Sequence, residues 1–386
     1  MHTCLKIFLL LFALLAFPAA MAQAPDDTVA TEHAVTFSGQ VTAWEITRFS
    51  DPVIWQAGGR FVPALLGKFG SENHGMLDFE ASAHINGSLN YTGCDLSDKQ
   101  GEIQPYRMWL RYSTNRWEIR GGLQKINFGT AKMFRPLMWF DGMDVRDPLK
   151  LTNGVYGVLG KYFFKNNANI WIWSLVGNSK PKGWELLGSK KWIPELGGRA
   201  EIPVPNGEMA LSTHIRTVEL PVIGKQLHEN RLGLDGKWDV GPGLWFESSI
   251  TQLEKNEYNL PRYQDAWNVG ADYTVNIGNG IGLTLEYFRY HAGNSFLVKG
   301  NSINLVGSMF TYPLNMLDNL TGMFFYTRTN SNLWFSYLSW NRTYDKFSIY
   351  LMAFWNPDVS LPLNTTLQGK NLFSGKGLQL MASYNF

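Results

Sequence analysis

The stretch Leu77-Asp78-Phe79-Glu80-Ala81-Ser82-Ala83-His84-Ile85-Asn86 alternates strictly between apolar and polar side chains. Successive side chains of an extended chain point to opposite faces, so this stretch presents one apolar face and one polar face. The 3.6-residue period of an α-helix cannot separate the two sets in this way. The stretch therefore predicts a β-strand that lies between an apolar and an aqueous environment.

The segment 378–386 repeats this alternation, with Met381 as the one apolar side chain on its polar face. Taken alone, it is also compatible with an edge strand of a soluble sheet. An alternating strand that stops on an aromatic residue resembles the C-terminal signal of bacterial outer-membrane β-barrels. This resemblance implies that the barrel-assembly machinery recognises Leu380, Tyr384 and Phe386.

The amino-terminal segment predicts export. Lys6 precedes an apolar run over residues 7–17, and the small-residue pattern Ala20-Met21-Ala22 follows. These are the parts of a cleavable secretory signal, so we assign residues 1–22 to it and expect residues 23–34 to form a short periplasmic segment. No other segment approaches the roughly 20 apolar residues that a membrane-spanning helix needs.

Charge and cysteine content exclude several classes of protein. Without residues 1–22, which carry one lysine, 33 basic and 32 acidic side chains remain. This balance argues against nucleic acid as a partner. Cys94 is then the remaining cysteine, which excludes an intramolecular disulfide.

Aromatic content favours a barrel over a soluble sandwich. The chain has 15 Trp, 16 Tyr and 24 Phe, yet its mean hydropathy is slightly negative. Membrane-spanning strands place only alternate side chains in lipid and concentrate aromatic residues at both interfaces. We therefore predict an all-β fold, a transmembrane antiparallel up-and-down β-barrel that occupies residues 35–386 as a single domain.

The strand rhythm predicts eighteen strands, although sixteen remains open because the segments 54–66 and 197–204 are weak. Short links rich in turn-forming residues alternate with longer links, and barrels of this kind place the short ones in the periplasm. The predicted short links are 114–115, 166–167, 205–206, 241–242 and 276–280. The predicted longer, outward links are 91–104, 128–153, 178–196, 220–229, 254–265 and 356–375.

One predicted hairpin places charged residues in the lumen. A turn at Ser113-Thr114 would pair Arg111 with Arg116, and likewise Trp109 with Glu118 and Arg107 with Arg120. Like charges across strands are unfavourable, so we expect Asp78 and Glu80 to offset the four arginines. The cluster is then either a structural network of salt bridges or a basic strip that attracts anionic and polar solutes.

The 128–153 link is too apolar to extend into water, and we expect it to fold into the lumen. Its position is similar to that of the infolded loop of general porins. Arg135, Asp141, Asp144 and Asp147 would then line the constriction, with the aspartates facing the arginines. The aspartate spacing does not match an EF-hand loop, so we predict no metal site. The candidate constriction residues are Asp78, Glu80, Arg107, Trp109, Arg111, Arg116, Glu118, Arg120, Arg135, Asp141, Asp144 and Asp147.

Catalytic motifs are missing from the sequence. The pairs Ser82/His84 and Ser212/His214 share a strand face, but residues two apart lie roughly 6–7 Å apart along a strand. A nucleophile and its base need a contact of about 3 Å. We predict neither an enzyme nor a cofactor.

The whole mature chain resembles a bacterial outer-membrane β-barrel of porin type in its strand rhythm and in Phe386. The resemblance implies a Gram-negative outer-membrane pore for passive or facilitated diffusion of small hydrophilic solutes. A non-conducting barrel that binds partners through the 178–195 loop is the alternative, and a barrel enzyme acting on lipids ranks third. Expected partners are outer-membrane lipid, the assembly machinery and a small solute, and a homo-oligomer stays open.

Overall fold

The computed structural model of the chain describes residues 33–71, 75–220, 224–254, 260–296, 302–328, 331–359 and 372–386. The predicted signal, residues 1–22, lies outside the described residues, as does most of the predicted 23–34 segment. Across the described ranges, no helix is long and apolar enough to cross a bilayer.

In the described ranges, eighteen antiparallel strands form one closed sheet, which confirms the predicted fold and the preferred strand number. Each strand pairs with its neighbours in sequence, and the first pairs with the last. The strands are β1 (His33–Arg48), β2 (Ile54–Ser71), β3 (Gly75–Thr92), β4 (Asp95–Ser113), β5 (Trp117–Gln124), β6 (Val155–Phe163), β7 (Asn169–Leu175), β8 (Glu195–Val204), β9 (Gly207–Leu220), β10 (Lys225–Asp239), β11 (Gly243–Leu253), β12 (Tyr263–Val275), β13 (Ile281–Gly293), β14 (Ser302–Pro313), β15 (Asp318–Arg328), β16 (Asn332–Thr343), β17 (Phe347–Trp355) and β18 (Lys376–Asn385).

The barrel closes where β18 meets β1. Their register runs from Gln40 opposite Asn385 to Arg48 opposite Gly377. Beyond it, the Gly39 N–H donates to the Phe386 carbonyl at 3.0 Å and the Phe386 N–H donates back at 3.1 Å. Closure removes the free edge that an open sheet would present to lipid.

Burial shows that the outer face of the barrel is apolar, whereas its inner wall holds charged side chains together with an apolar cluster on β13–β17. Ile172 on the outer face of β7 is 66% exposed, whereas the inward Glu286 of β13 is fully buried. Exposed large apolar side chains recur on the outer faces of most strands, including Met108, Leu196 and Leu285. Exposing so much apolar surface to water would be unfavourable, so lipid covers the outer face.

The connections follow the predicted rhythm with two corrections. The predicted short links are all turns, and Asn167 and Asn206 adopt the left-handed conformation there, with φ of 65° and 57°. The predicted long links 91–104 and 220–229 are wrong. A two-residue turn at Gly93-Cys94 joins β3 to β4, and β9 and β10 extend to Leu220 and Lys225. Strand pairing satisfies the backbone groups of these residues, which sequence composition had suggested were loops.

The weak segment 54–66 is a full strand with a local interruption. Its pairing with β3 skips Val62 and Pro63, where proline has no N–H to donate. Gly58 is required for packing, because a Cβ atom there would lie 2.3 Å from the Trp44 ring. One of the two glycines that weakened the sequence pattern thus makes room for the inward Trp44.

We expect the substitution Ile172→Arg to lower the free energy of unfolding in lipid vesicles by about 2–4 kcal/mol, the cost of a cation on a lipid-facing strand near the bilayer centre. Denaturant titration of the protein refolded into vesicles measures this. Trp192→Arg is the control, because Trp192 is 74% exposed on an outer connection. Equal stability of the two variants would show that the outer face of β7 does not meet lipid.

We expect Phe386→Ala to reduce the yield of assembled barrel. The Phe386 ring packs on Phe37 and Phe61 with centroid distances of 5.7 and 6.2 Å, so it fastens the closing strand to β1 and β2. Heat-modifiable gel mobility of the membrane fraction reports the yield. Phe49→Ala, which removes an exposed ring beyond the other end of β1, should assemble normally, and equal yields of both variants would exclude this role.

Candidate functional site

The inward side chains of β3–β6 form a charged strip on the lumen wall. Arg111 donates two hydrogen bonds to Asp78, at 2.6 and 2.9 Å. Glu118 accepts from Arg111 at 3.4 Å and lies 3.8 Å from Arg120 and 3.3 Å from Lys161. We call this set the inner strip. It consists of Asp78, Glu80, Arg107, Trp109, Arg111, Glu118, Arg120 and Lys161.

Trp109 lies at the centre of the inner strip. Its indole N–H donates to Glu80 at 3.2 Å. The guanidinium groups of Arg120 and Arg111 lie 4.8 and 5.7 Å from its ring centroid. Both distances are within the range of cation–π attraction, so Trp109 spaces the two arginines and partly stabilises their charge.

The predicted register of this hairpin is wrong by four residues. Arg111 lies opposite Arg120, and Ser113 lies opposite Glu118. The turn is longer than expected, because the Thr114 N–H donates to the Trp117 carbonyl. All three predicted cross-strand pairs therefore fail.

Two of the predicted arginines differ from Arg111 and Arg120 in their surroundings. Arg116 is in the turn and exposed, outside the inner strip. Arg107 is buried and donates to the Thr152 carbonyl at 2.8 Å and to its own neighbour, the Tyr106 carbonyl, at 2.6 Å. Arg107 thus holds the end of the long connection between β5 and β6 against the wall.

The three loop aspartates do not form an acidic edge opposite the inner strip, contrary to the prediction. Asp144 pairs with Arg146 at 2.7 Å, and Asp141 lies 3.7 Å from Arg135. Asp147 accepts hydrogen bonds from the backbone of its own turn, at Leu149 and Leu151. Arginines of the same loop balance the first two charges, and within the described residues no cluster suits a metal ion.

Burial further weakens the acidic character of the loop. It raises the pKa of Asp141 above its usual value, although Arg135 opposes this effect. Burial would lower the pKa of Arg146, but the pairing with Asp144 outweighs it and the pKa is raised. Arg146 therefore keeps its positive charge beside Asp144.

The connection 125–154, which we call the long loop, folds into the lumen and binds to the opposite wall. Glu247 of β11 accepts hydrogen bonds from the backbone N–H groups of Thr130, Ala131 and Leu137, at 2.8, 2.8 and 2.6 Å. It is fully buried. A carboxylate that accepts three such bonds fixes the course of the loop, because each bond is assisted by charge.

Glu286 of β13 holds the next loop residues in the same manner. It accepts from the N–H groups of Lys132, Met133 and Phe134, at 2.6, 3.1 and 2.8 Å. Asn268 of β12 completes this anchor, because its amide donates to the Phe134 carbonyl at 2.8 Å and to Glu286 at 2.9 Å. Two wall carboxylates thus satisfy six backbone N–H groups of the long loop.

Apolar packing reinforces these anchors on both sides of the lumen. Phe134 packs on Phe288 and Phe325, with centroid distances of 5.6 and 5.5 Å. On the other side, Phe128 stacks on Trp173 at 5.6 Å. The long loop therefore crosses the barrel from β6–β7 to β13–β15.

The connection 176–194 also folds inward. Lys182 and Glu185 join Arg216, Glu229 and Arg231 in a buried network, in which Arg216 contacts Glu185 at 3.0 Å and Glu229 at 2.6 Å. Trp184 stacks on Phe288 at 5.2 Å. This packing weakens the alternative of a surface-binding 178–195 loop, because Lys182 and Trp184 point into the barrel.

Solvent reaches the inner strip but not this network. The side chains of Arg111 and Arg120 are 25% and 17% exposed, whereas Arg216 and Glu185 are fully buried. Across the lumen, Lys132 and Asp272 form a second solvent-reached ion pair. Water in the lumen thus contacts the β3–β6 wall and the long-loop face near β12.

Sequence reasoning missed Glu247, Glu286 and Asn268. Each occupies an inward position, and the two glutamates have no basic side chain as their ion-pair partner in the described part of the chain. The signal available in the sequence was an acidic residue at a lumen-facing strand position, without a basic residue to pair with it. Its partner could not be inferred, because the backbone N–H groups that it binds lie more than 100 residues away.

Solved outer-membrane channels share this fold. The Pseudomonas aeruginosa protein OccK5 has 9% identity and a TM-score of 0.57, over 91% of this chain and 98% of that chain. Acinetobacter baumannii OccAB4 has 11% identity and a TM-score of 0.55, over 92% and 98%. The outer-membrane channel DcaP of A. baumannii has 12% identity and a TM-score of 0.50, over 92% and 97%.

At these identities the likeness establishes the porin-like barrel fold. No protein-family model matches the sequence, and no curated protein matches it significantly.

We expect the double substitution Glu247→Gln and Glu286→Gln to loosen the long loop, because neutral amides lose the charge-assisted part of six hydrogen bonds. Limited proteolysis should then cleave within residues 125–154, and any single-channel current should become larger and noisier. Glu208→Gln is the matched control, since Glu208 pairs with the exposed Lys237. Wild-type protease resistance of the double variant would mean that apolar packing alone holds the loop.

Proposed function

We propose that the chain is a Gram-negative outer-membrane pore through which small hydrophilic solutes diffuse without energy input. The observation that carries the proposal is the solvent-reached inner strip inside a closed 18-stranded barrel. A barrel that only displayed loops would not require charged side chains in contact with water along its inner wall. The fold shared with solved outer-membrane channels supports the proposal.

A modest preference for anions follows from how the cations of the inner strip are paired. Arg107 is buried against backbone carbonyls, and the solvent-reached cations Arg111, Arg120 and Lys161 equal the three carboxylates in number, so ion selection depends on which of these cations is least compensated. Asp78 compensates Arg111 through two short hydrogen bonds, whereas the closest carboxylate oxygen to Arg120 is 3.8 Å away. Arg120 is therefore the cation most available to a passing anion.

Single-channel recording of residues 23–386, refolded into a planar bilayer, tests the pore. Stable open steps are expected, with a reversal potential in a salt gradient that indicates anions. A folded and inserted protein that stays silent would contradict the proposal.

We expect Arg120→Ala to shift the reversal potential toward cations more than Arg111→Ala does, because Arg111 is already neutralised by Asp78. Arg116→Ala is the control, since Arg116 lies in an exposed turn outside the inner strip. Identical reversal potentials for all three variants would remove the inner strip from ion selection.

A non-conducting barrel is the second candidate, and the packing inside the lumen favours it. The long loop and the 176–194 connection share an apolar cluster with the wall, which contains Phe134, Trp184 and Phe288. Between Trp139, Trp184 and Arg231 a cavity of about 20 Å³ remains, which is room for about one water molecule. If these segments close the bore, the bilayer recording shows no current.

A further inference from the structure

Two arginines project from the outer face of the barrel near the C-terminal ends of β13 and β15. Phe288 and Thr327 point inward and are fully buried. Since strand side chains alternate, the following residues, Arg289 and Arg328, point outward.

The pairing of three strands places these arginines side by side. Arg289 lies opposite Asn304 of β14. On the other side of β14, Leu305 lies opposite Thr327, so Arg328 is level with Asn304. The two arginines flank Asn304 at a separation of two strand spacings, roughly 10 Å between backbones.

A row of aromatic side chains lies next to the arginines, on the side nearer the bilayer centre, and indicates how deep the arginines lie in the membrane. Tyr287 lies opposite Val306, Val306 opposite Tyr326, and Tyr326 opposite Trp334. All belong to the outer face, and the Tyr326 and Trp334 rings are 4.5 Å apart. Tyrosine and tryptophan mark the boundary between hydrocarbon and headgroups.

The polar ends of this row point toward the arginines. The Tyr287 hydroxyl donates to the Asn304 side chain at 2.9 Å, and the Tyr326 hydroxyl donates to Asn332 at 3.0 Å. Nearer the bilayer centre than the aromatic row, Leu285 and Phe324 are exposed and apolar. Arg289 and Arg328 are two residues farther out than the aromatic row, which places them at the level of the lipid headgroups.

Neither arginine has an acidic partner in the described part of the chain. Within the described ranges, no carboxylate lies within ion-pair distance of Arg289 or Arg328. Asp265, an acidic residue of the neighbouring strand β12, is buried and bound to His291 at 2.9 Å. The patch therefore presents two uncompensated guanidinium groups to a layer of headgroups, and guanidinium geometry matches phosphate oxygens.

We propose that Arg289 and Arg328 bind the phosphate groups of a phosphorylated glycolipid in the outer leaflet, with Asn304 between them. Anionic headgroups attract basic side chains at a membrane surface, and the aromatic row positions the acyl region of the lipid below. The site is on the outside of the barrel, so it is independent of whether the lumen conducts.

Native mass spectrometry of the full barrel in detergent, titrated with lipid A, tests this site. We expect Arg289→Gln with Arg328→Gln to weaken lipid A binding by roughly 25-fold, about fivefold for each arginine. Lys376→Gln is the matched control, because it removes an exposed cation at the outer end of β18, far from the site. Its affinity should equal that of the wild type.

Dephosphorylated lipid A provides a test that needs no variant. The wild-type barrel should bind it as weakly as the double variant binds intact lipid A. Equal binding of the two lipids by the wild type would overturn the proposal, as would wild-type affinity of the double variant. Heat-modifiable mobility establishes that each variant is folded, and a conductance change in the double variant would count against a site outside the lumen.

Discussion

Backbone hydrogen bonding in hydrocarbon is the constraint on which the barrel depends. Lipid offers no partner to a free N–H or carbonyl group, so a spanning sheet is stable only when its last strand pairs with its first. The β1–β18 ladder and the reciprocal bonds between Gly39 and Phe386 provide this closure. Once the sheet is closed, one face of every strand meets lipid and the other meets the lumen, which sorts the side chains by polarity.

Any segment that folds into the lumen must then find hydrogen-bond partners there for its polar groups. The long loop brings unpaired backbone N–H groups into a space with little water, and Glu247 and Glu286 accept six of their hydrogen bonds. A buried carboxylate is costly when isolated, and the loop backbone lowers that cost. Loop and wall therefore stabilise each other, and the solvent-reached inner strip lies on the wall that the loop leaves open.

Sequence periodicity predicted the elements well where pairing is regular. The alternation of 77–86 and the turn formers at Asn167 and Asn206 are local features, because strand faces and turn conformations depend on neighbouring residues. The prediction failed where partners are distant. Because the turn is longer than two residues, Arg111 lies opposite Arg120 and not opposite Arg116. Two of the aspartates that we expected to face the inner strip lie beside arginines of the long loop instead.

From the sequence alone we predicted a closed barrel with eighteen strands preferred over sixteen, the polarity of its two faces and the inward fold of an apolar loop, since each prediction follows from the period of side chains or from the cost of exposing apolar surface. Tertiary structure alone decided which wall holds the loop, which arginine keeps an uncompensated charge and which outer-face arginines lie side by side. These outcomes depend on register between strands and on contacts over more than 100 residues, and a chain's local pattern contains neither.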